Sequence, residues 1–261
     1  MARPRIYKTE AVVLKQTPVG EADRILTFCT PEMGKVRAVA RGIRRTRSRM
    51  GGHLEILNRV SMSLARGRNL DVVTEAQVIQ VYRGLSDDLG LLSKGLYIAE
   101  LVDGFLVEHS HSHAVYALLT EVLTWLERGV QPALLLRYAE MRLLDRSGFR
   151  PELHQCVECR ETLEPGDHVF SCSLGGVLCP RCRLNSDDVL ITVSLNAMKV
   201  LRFIQRQESY DQVSGLRVSP WILSELERLL RSYIRFLVER ELKTAEFVHL
   251  VSPSNPRLTP M

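Results

Sequence analysis

The sequence predicts an α+β, multidomain chain: an N-terminal OB-type β-barrel, followed by an all-helical domain with an inserted four-cysteine module. Three observations predict it. Up to residue 82, short segments with period-2 alternation are separated by turn residues. From Leu89 onward the apolar residues recur at helical spacing. Two Cys-x-x-Cys motifs then interrupt the helical pattern, at 156–159 and 179–182.

The first strand is expected over 6–16 (IYKTEAVVLKQ), rich in β-branched and aromatic types and closed by TPVGE. DRILTFCT (23–30) follows, then the turn PEMGK, then VRAVARG (36–42) with clean alternation. HLEILNRVSMSLAR (53–66) alternates again, and after GRN the run LDVVTEAQVIQVY (70–82) completes the series. Five short strands in this length suit a small closed barrel, and an OB-type barrel fits both the count and the length.

The connection after the third strand carries the charge. Lys35, Arg37, Arg41, Arg44, Arg45, Arg47 and Arg49 lie in one stretch without a single carboxylate. Within 36–42, Val36, Ala38 and Ala40 alternate with Arg37, Val39 and Arg41, so the two arginines share a sheet face. Arg66 and Arg68 at the next turn extend the patch. Guanidinium forks match phosphate oxygens in pairs, and neutralised phosphates release their counterions. A solvated, disordered charge run is the alternative. Only Tyr7, Phe28 and Tyr82 are aromatic in this third of the chain, and none lies inside the basic stretch. Backbone-dominated binding with weak sequence preference is therefore expected, rather than base stacking.

The helical body begins with LGLLSKGLYIAELVDGFLVEH (89–109) and AVYALLTEVLTWLERG (114–129), which Gly129 terminates. Pro132 suits the first turn of PALLLRYAEMRLLDRSG, and Gly148 ends it. Ser194 is placed to cap LNAMKVLRFIQRQ, and Ser219-Pro220 to open a helix running to Lys243. Trp221, Leu226, Leu229, Tyr233, Ile234 and Leu237 are expected to line its core side. His109, His111 and His113 have no accompanying metal-protease signature and are expected at an exposed helix junction. The chain is thus expected to divide into a nucleic-acid-binding barrel (1–82), a helical domain in two parts (83–151 and 185–251), a zinc module (152–184) and a flexible tail (252–261).

Cys156 and Cys159 are separated from Cys179 and Cys182 by nineteen residues, within the usual spacing for a four-cysteine zinc site. Each pair forms a knuckle presenting two thiolates to one side, and two knuckles complete a tetrahedron. The interior HVFSCSLGGVL supplies a strand, a Gly-Gly turn and a second strand. A redox motif explains one pair but not its twin. Four thiolates leave no position open for water, so one structural zinc per chain is expected. Cys172 is left as a buried thiol or a substitute ligand, Cys29 as a small hydrophobe, and His154 as a decoy.

Other chemistry is excluded by what the sequence lacks. It has no phosphate-binding Gly-x-x-x-x-Gly-Lys-Ser/Thr loop, no Gly-x-Gly-x-x-Gly and no nucleophile elbow. A non-enzymatic protein is expected. No run approaches the roughly 18 apolar residues of a membrane span, and the N-terminal stretch lacks the apolar core of a secretory signal, which points to an intracellular protein. The net charge of +5 is unevenly distributed. Residues 1–83 hold 16 Lys/Arg against 7 Asp/Glu, and the remainder 19 against 23. A polyanionic partner for the first third follows.

The segments GEADRILTFCTPEMGKVRAVARGIRRTRSR and GFRPELHQCVEC…GGVLCPRC, in this order around a helical body, resemble the bacterial RecO family, and the resemblance covers essentially the whole chain. It implies an OB fold, a helical domain interrupted by a four-cysteine zinc module, and no enzymatic activity. It also implies binding of single- and double-stranded DNA, annealing of complementary strands, partnership with RecR, contact with the C-terminal tail of single-strand-binding protein, and help in loading RecA. The location it implies is the bacterial cytoplasm, at the nucleoid during repair. The alternative from another class is an RNA-binding or regulatory protein whose zinc ribbon touches the partner. Arg160, Arg181 and Arg183 support that alternative, although Glu158, Glu161 and Glu164 dilute them.

Overall fold

The computed structural model describes residues 5–46, 48, 50–108, 110–185, 188–239 and 242–251. Arg47, Arg49, His109 and the tail 252–261 lie outside the described residues. The chain forms two compact units, one running to Gly129 and resuming at Leu242, the other from Val130 to Glu241.

The first unit is built on five strands: β1 (Ile6–Val19), β2 (Asp23–Thr30), β3 (Gly34–Ala40), β4 (Arg59–Ala65) and β5 (Asp71–Gln80). They close into a barrel in the order β1-β2-β3-β5-β4, with β4 pairing back to β1. All pairs are antiparallel except β3 with β5, where Ala38 faces Asp71. Alternation drives this closure. Val36, Ala38 and Ala40 of β3 turn inward to meet Leu26 and Phe28 of β2 and Met62 and Leu64 of β4 in one apolar core. The N-terminal OB-type barrel is therefore present, and helices follow it.

One sequence-predicted strand is shorter than expected. Residues 53–58 alternate like a strand but form turns, and β4 starts only at Arg59. Leu54 and Leu57 are buried there, and Leu57 adopts left-handed backbone with φ of 71°. The Asn58 side-chain amide holds the turn by donating to the His53 carbonyl at 3.1 Å. Local side-chain bonding of this kind competes with the ladder.

A short helix α1 (Arg83–Asp87), α2 (Leu89–Phe105) and α3 (His113–Glu127) follow the barrel. The side chain of Asp88 caps α2 by accepting from Leu91 N at 2.9 Å. Helix α2 stops at Phe105 rather than continuing to residue 109, because the next residues bond to the β2–β3 turn. Lys35 N donates to Val107 O at 3.2 Å, and Ser112 N donates to Pro31 O at 2.9 Å. Gly34 makes this approach possible. Its φ is 58°, and a Cβ there would lie 2.7 Å from the carbonyl oxygens of Val107 and Ser110.

The second unit opens with α4 (Pro132–Arg146) and closes with α5 (Leu195–Arg206) and α6 (Pro220–Val238). The sequence-predicted caps are in place: Ser194 Oγ accepts from Ala197 N, Ser219 Oγ accepts from Ile222 N, and Pro132 and Pro220 sit in the first turns. Between α4 and α5 lie β6 (His168–Ser171), β7 (Gly176–Leu178) and β8 (Leu190–Val193), an antiparallel sheet in the order β7-β6-β8. β8 is absent from the sequence reading, since four residues of LITV are too few to show a period.

The long helix expected to run to Lys243 is two helices. α6 ends at Val238, Glu239 takes left-handed backbone at φ of 54°, and α7 (Lys243–Val251) belongs to the first unit. Trp221 also departs from the core position expected of it. It is 79% exposed, not core. At 100° per residue Leu226, Leu229, Tyr233 and Ile234 share the buried side, whereas Trp221 falls on the opposite stripe with Glu225 and Arg228.

Candidate metal centre and nucleic-acid interface

In the second unit the sequence positions all four cysteines of the candidate centre by backbone. Cys156 N donates to Glu161 O at 2.8 Å and Arg160 N to Cys156 O at 2.9 Å, closing the first knuckle with Arg160 in left-handed conformation. Arg183 N donates to Cys179 O at 3.1 Å and closes the second. The hairpin β6–β7 holds the knuckles together. Val157 N donates to Val177 O, and Val177 N to Glu152 O, each at 3.0 Å. Gly176 permits that contact, since a Cβ would stand 2.8 Å from Glu152 O.

The sulfur atoms of Cys156, Cys159, Cys179 and Cys182 all lie within 4.8 Å of one another, and Cys159 Sγ is 3.8 Å from Cys179 Sγ. A tetrahedron with metal–sulfur bonds of about 2.3 Å has edges of about 3.8 Å, which the Cys159–Cys179 pair already meets, so the four thiols are placed to close on a Zn²⁺ ion. Their protonation agrees. The backbone N–H groups of Cys182 and Arg181 bring the Cys179 thiol down to about 6. Burial pushes the Cys156 thiol up, but N–H groups of Cys179, Cys159 and Glu158 bonded to its sulfur hold it below its ordinary value. Cys179 N lies 3.3 Å from that sulfur. Burial and the neighbouring sulfurs push Cys182 up to about 12. Four thiolates in one cluster repel, and a divalent cation removes the conflict.

Among the described residues this is the cluster of His, Cys, Asp or Glu close enough to share a metal ion. Cys172 stands outside it, its thiol pushed up to about 11 by burial and by Asp188. Cys29 is fully buried in the barrel, and burial pushes it up to about 12. Arg181 pairs with Glu161 at the surface of the second knuckle. His113 faces Glu32 at 3.7 Å.

The basic residues lie on the barrel. In OB barrels the face of strands 2 and 3, with the turns between strands 1 and 2 and between 4 and 5, receives oligonucleotides. Here Arg37 projects outward from β3. Arg66 and Arg68 are exposed on the β4–β5 turn, which enters β5 at Asp71 beside Ala38. Arg41, Arg44 and Arg45 are exposed on the connection leaving β3. That connection is folded against the β1–β2 turn: Arg44 N donates to Ala22 O at 3.0 Å, and Gly42 N to Asp23 Oδ1 at 2.7 Å. Ile43, 4% exposed, anchors it in the barrel core. From Arg41 to Thr46 the stretch is thus an ordered turn. None of Arg37, Arg41, Arg44, Arg45, Arg66 and Arg68 forms an ion pair with a described residue.

Lys35 is different. Its Nζ lies 3.0 Å from Asp103 Oδ1 and also donates to the Asp103 carbonyl, with only 19% of the side chain exposed. The sequence could not show this, because Asp103 is distant along the chain. Lys35→Met is therefore expected to leave the salt dependence of DNA affinity unchanged while lowering thermal stability; a slope flatter by about 0.7 would make Lys35 a phosphate contact. Tyr7 adds an aromatic that the sequence reading placed away from the charge. The Arg66 guanidinium sits 4.8 Å from the Tyr7 ring centroid, and the phenol bonds to Asp71.

Comparison with known proteins agrees with this arrangement. The family model described as "Recombination protein O N terminal" matches residues 1–82, and "Recombination protein O C terminal" matches residues 86–246. A "DNA repair protein RecO" from Dehalococcoides mccartyi (strain CBDB1) is 40% identical over 243 residues, covering 93% of this chain and 95% of the relative. Proteins of that name from Roseiflexus sp. (strain RS-1) and Symbiobacterium thermophilum are 38% and 35% identical, covering 94% and 93% of this chain and 86% and 96% of their own lengths.

Proposed function

The chain belongs to the recombination protein O family, a DNA repair family, and from that premise we propose that it is a non-enzymatic recombination mediator. It binds single- and double-stranded DNA on its barrel, anneals complementary strands, and with RecR helps load RecA on DNA coated by single-strand-binding protein, whose C-terminal tail it engages. It works in the bacterial cytoplasm, at the nucleoid during repair. The described helices include none long and apolar enough to cross a membrane.

The observation that carries this reading is the barrel surface. Arg37 on the β3 face, Arg66 and Arg68 on the β4–β5 turn, and Arg41, Arg44 and Arg45 on the β3–β4 connection folded against the β1–β2 turn are exposed without carboxylate partners among the described residues. Arg47 and Arg49, also assigned to DNA by the sequence, adjoin this set in the chain. Neutralising phosphates on two strands at once is what annealing requires, since two polyanions otherwise repel. The bound metal is zinc, one per chain, held by Cys156, Cys159, Cys179 and Cys182. Its role is structural, because four thiolates fill the coordination sphere.

Annealing of complementary strands precoated with cognate single-strand-binding protein tests the reading. The expected result is a rate increase that depends on the protein and falls with salt. DNA binding without any acceleration of annealing would overturn it.

A further inference from the structure

The second unit carries an exposed aromatic that its own packing does not use. Trp221 is 79% exposed at the start of α6. It shares one helix stripe with Ser224, Glu225 and Arg228, spaced i, i+3, i+4 and i+7. With Asp167, Arg183 and Ser194 these residues border an open pocket of about 450 Å³. That volume falls within the range of about 300–1,000 Å³ typical of small-ligand sites.

The pocket lining holds two carboxylates, Asp167 and Glu225, and two guanidiniums, Arg183 and Arg228, and the two pairs differ in how they are engaged. Glu225 is engaged by the start of α5, accepting from Ser194 Oγ at 2.8 Å and from Ser194 N. Asp167 Oδ1 likewise accepts from Leu195 N at 2.8 Å. Both carboxylates are thus held by N–H and O–H donors of the chain. The side chains of Arg228 and Arg183 have no ion-pair or hydrogen-bond partner among the described residues. An exposed indole that shares one pocket with two available guanidiniums is complementary to a ligand with an apolar, planar part and anionic groups. An unpaired nucleotide in a single strand has that form: aromatics stack bases, and arginines take the adjoining phosphates.

We propose that Trp221 is a stacking platform for one base of single-stranded nucleic acid, with Arg228 and Arg183 contacting the flanking phosphates. This deepens the DNA-binding reading above and rests on it. A duplex buries its bases in stacked pairs and cannot use the platform, so the site discriminates strand state, which a phosphate-binding barrel surface does not. Arg183 directly follows the cysteine Cys182, so the second knuckle fixes its position.

The test uses the full-length protein and a thymidine oligonucleotide. Trp221→Ala is expected to weaken single-strand affinity by about 5- to 150-fold and to leave duplex affinity and the salt slope unchanged, because stacking releases no counterions. Trp221→Phe should restore most of the loss. Arg183→Ala with Arg228→Ala should flatten the single-strand slope by about 1.4, at about 0.7 per contact. An oligonucleotide with abasic sites should bind the wild type no better than it binds Trp221→Ala. With Trp125→Phe as background, the remaining tryptophan emission should be quenched by the oligonucleotide. Unchanged single-strand affinity in Trp221→Ala, with wild-type DNA binding intact, overturns the site but leaves the barrel reading standing. No DNA binding by the wild type overturns the barrel reading itself. Quenching by an acidic peptide, with none by the oligonucleotide, makes the pocket a protein-docking site and also overturns the proposal.

Discussion

Cys156→Ser is expected to lose the bound metal and to lower the stability of the residue 130–241 unit by at least about 4–5 kcal/mol, the magnitude reserved for losses such as a structural metal. The reason lies in what the cysteine hairpin supports. Phe170 of β6 is fully buried and meets Tyr233 of α6 edge-on, with ring centroids 5.2 Å apart. The Tyr233 hydroxyl in turn donates to Phe149 O at 3.2 Å. Releasing the knuckles frees the turns around Val157 and Val177 that hold β6 and β7 against this core. The three remaining sulfurs lose the cation that reconciles their charges, and a hydroxyl takes the fully buried place of the Cys156 thiol. Elemental analysis should show about one zinc per wild-type chain and none in the variant. Calorimetry should show the transition of this unit moving down, while the duplex-DNA salt slope at low temperature stays the same. A wild-type protein free of tightly bound metal, or a variant that melts with the wild type, would refute the structural assignment.

Replacing Arg41, Arg44 and Arg45 together by alanine should flatten the dependence of log K on log salt by about 2 units on single strands and about 2.7 on duplex, if each contacts one phosphate. Single- and double-stranded affinity should fall together, with little change in sequence preference, because phosphate contacts position without reading bases. The side chains are exposed, whereas the turn is held by its backbone N–H groups, bonded to the Ala22 carbonyl and the Asp23 carboxylate, and by buried Ile43, so the fold should survive. Annealing should fall in parallel. Titrations at four or five salt concentrations, with circular dichroism confirming the fold, decide the matter. An unchanged slope would move the DNA away from this turn.

The barrel and the metal cluster were legible in the sequence because each depends on local regularity. Val36, Ala38 and Ala40 repeat every second residue, and two Cys-x-x-Cys motifs state their geometry in their spacing. What escaped the sequence depends on distant partners or weak periods. Asp103 claims Lys35 from another element. β8 is recognisable only beside β6. Hydrophobicity alone puts Trp221 with the apolar side of α6, whereas its angle on the helix places it with Arg228. The residues 53–58 had the alternation of a strand, but Asn58 offered the backbone a turn instead.

The discontinuity of the first unit sets a timetable. The barrel and α2 leave the ribosome early, yet α7 comes only after the whole Val130–Glu241 unit has been made. α7 packs along α2, with Leu242 and Ala245 buried and Thr244 N donating to Glu100 at 2.9 Å. At roughly 5–20 residues per second, that face of α2 waits on the order of 10 seconds for its cover. A chain ending before Leu242 therefore lacks the helix that packs along α2, and completion of the first unit waits for the last residues to be made.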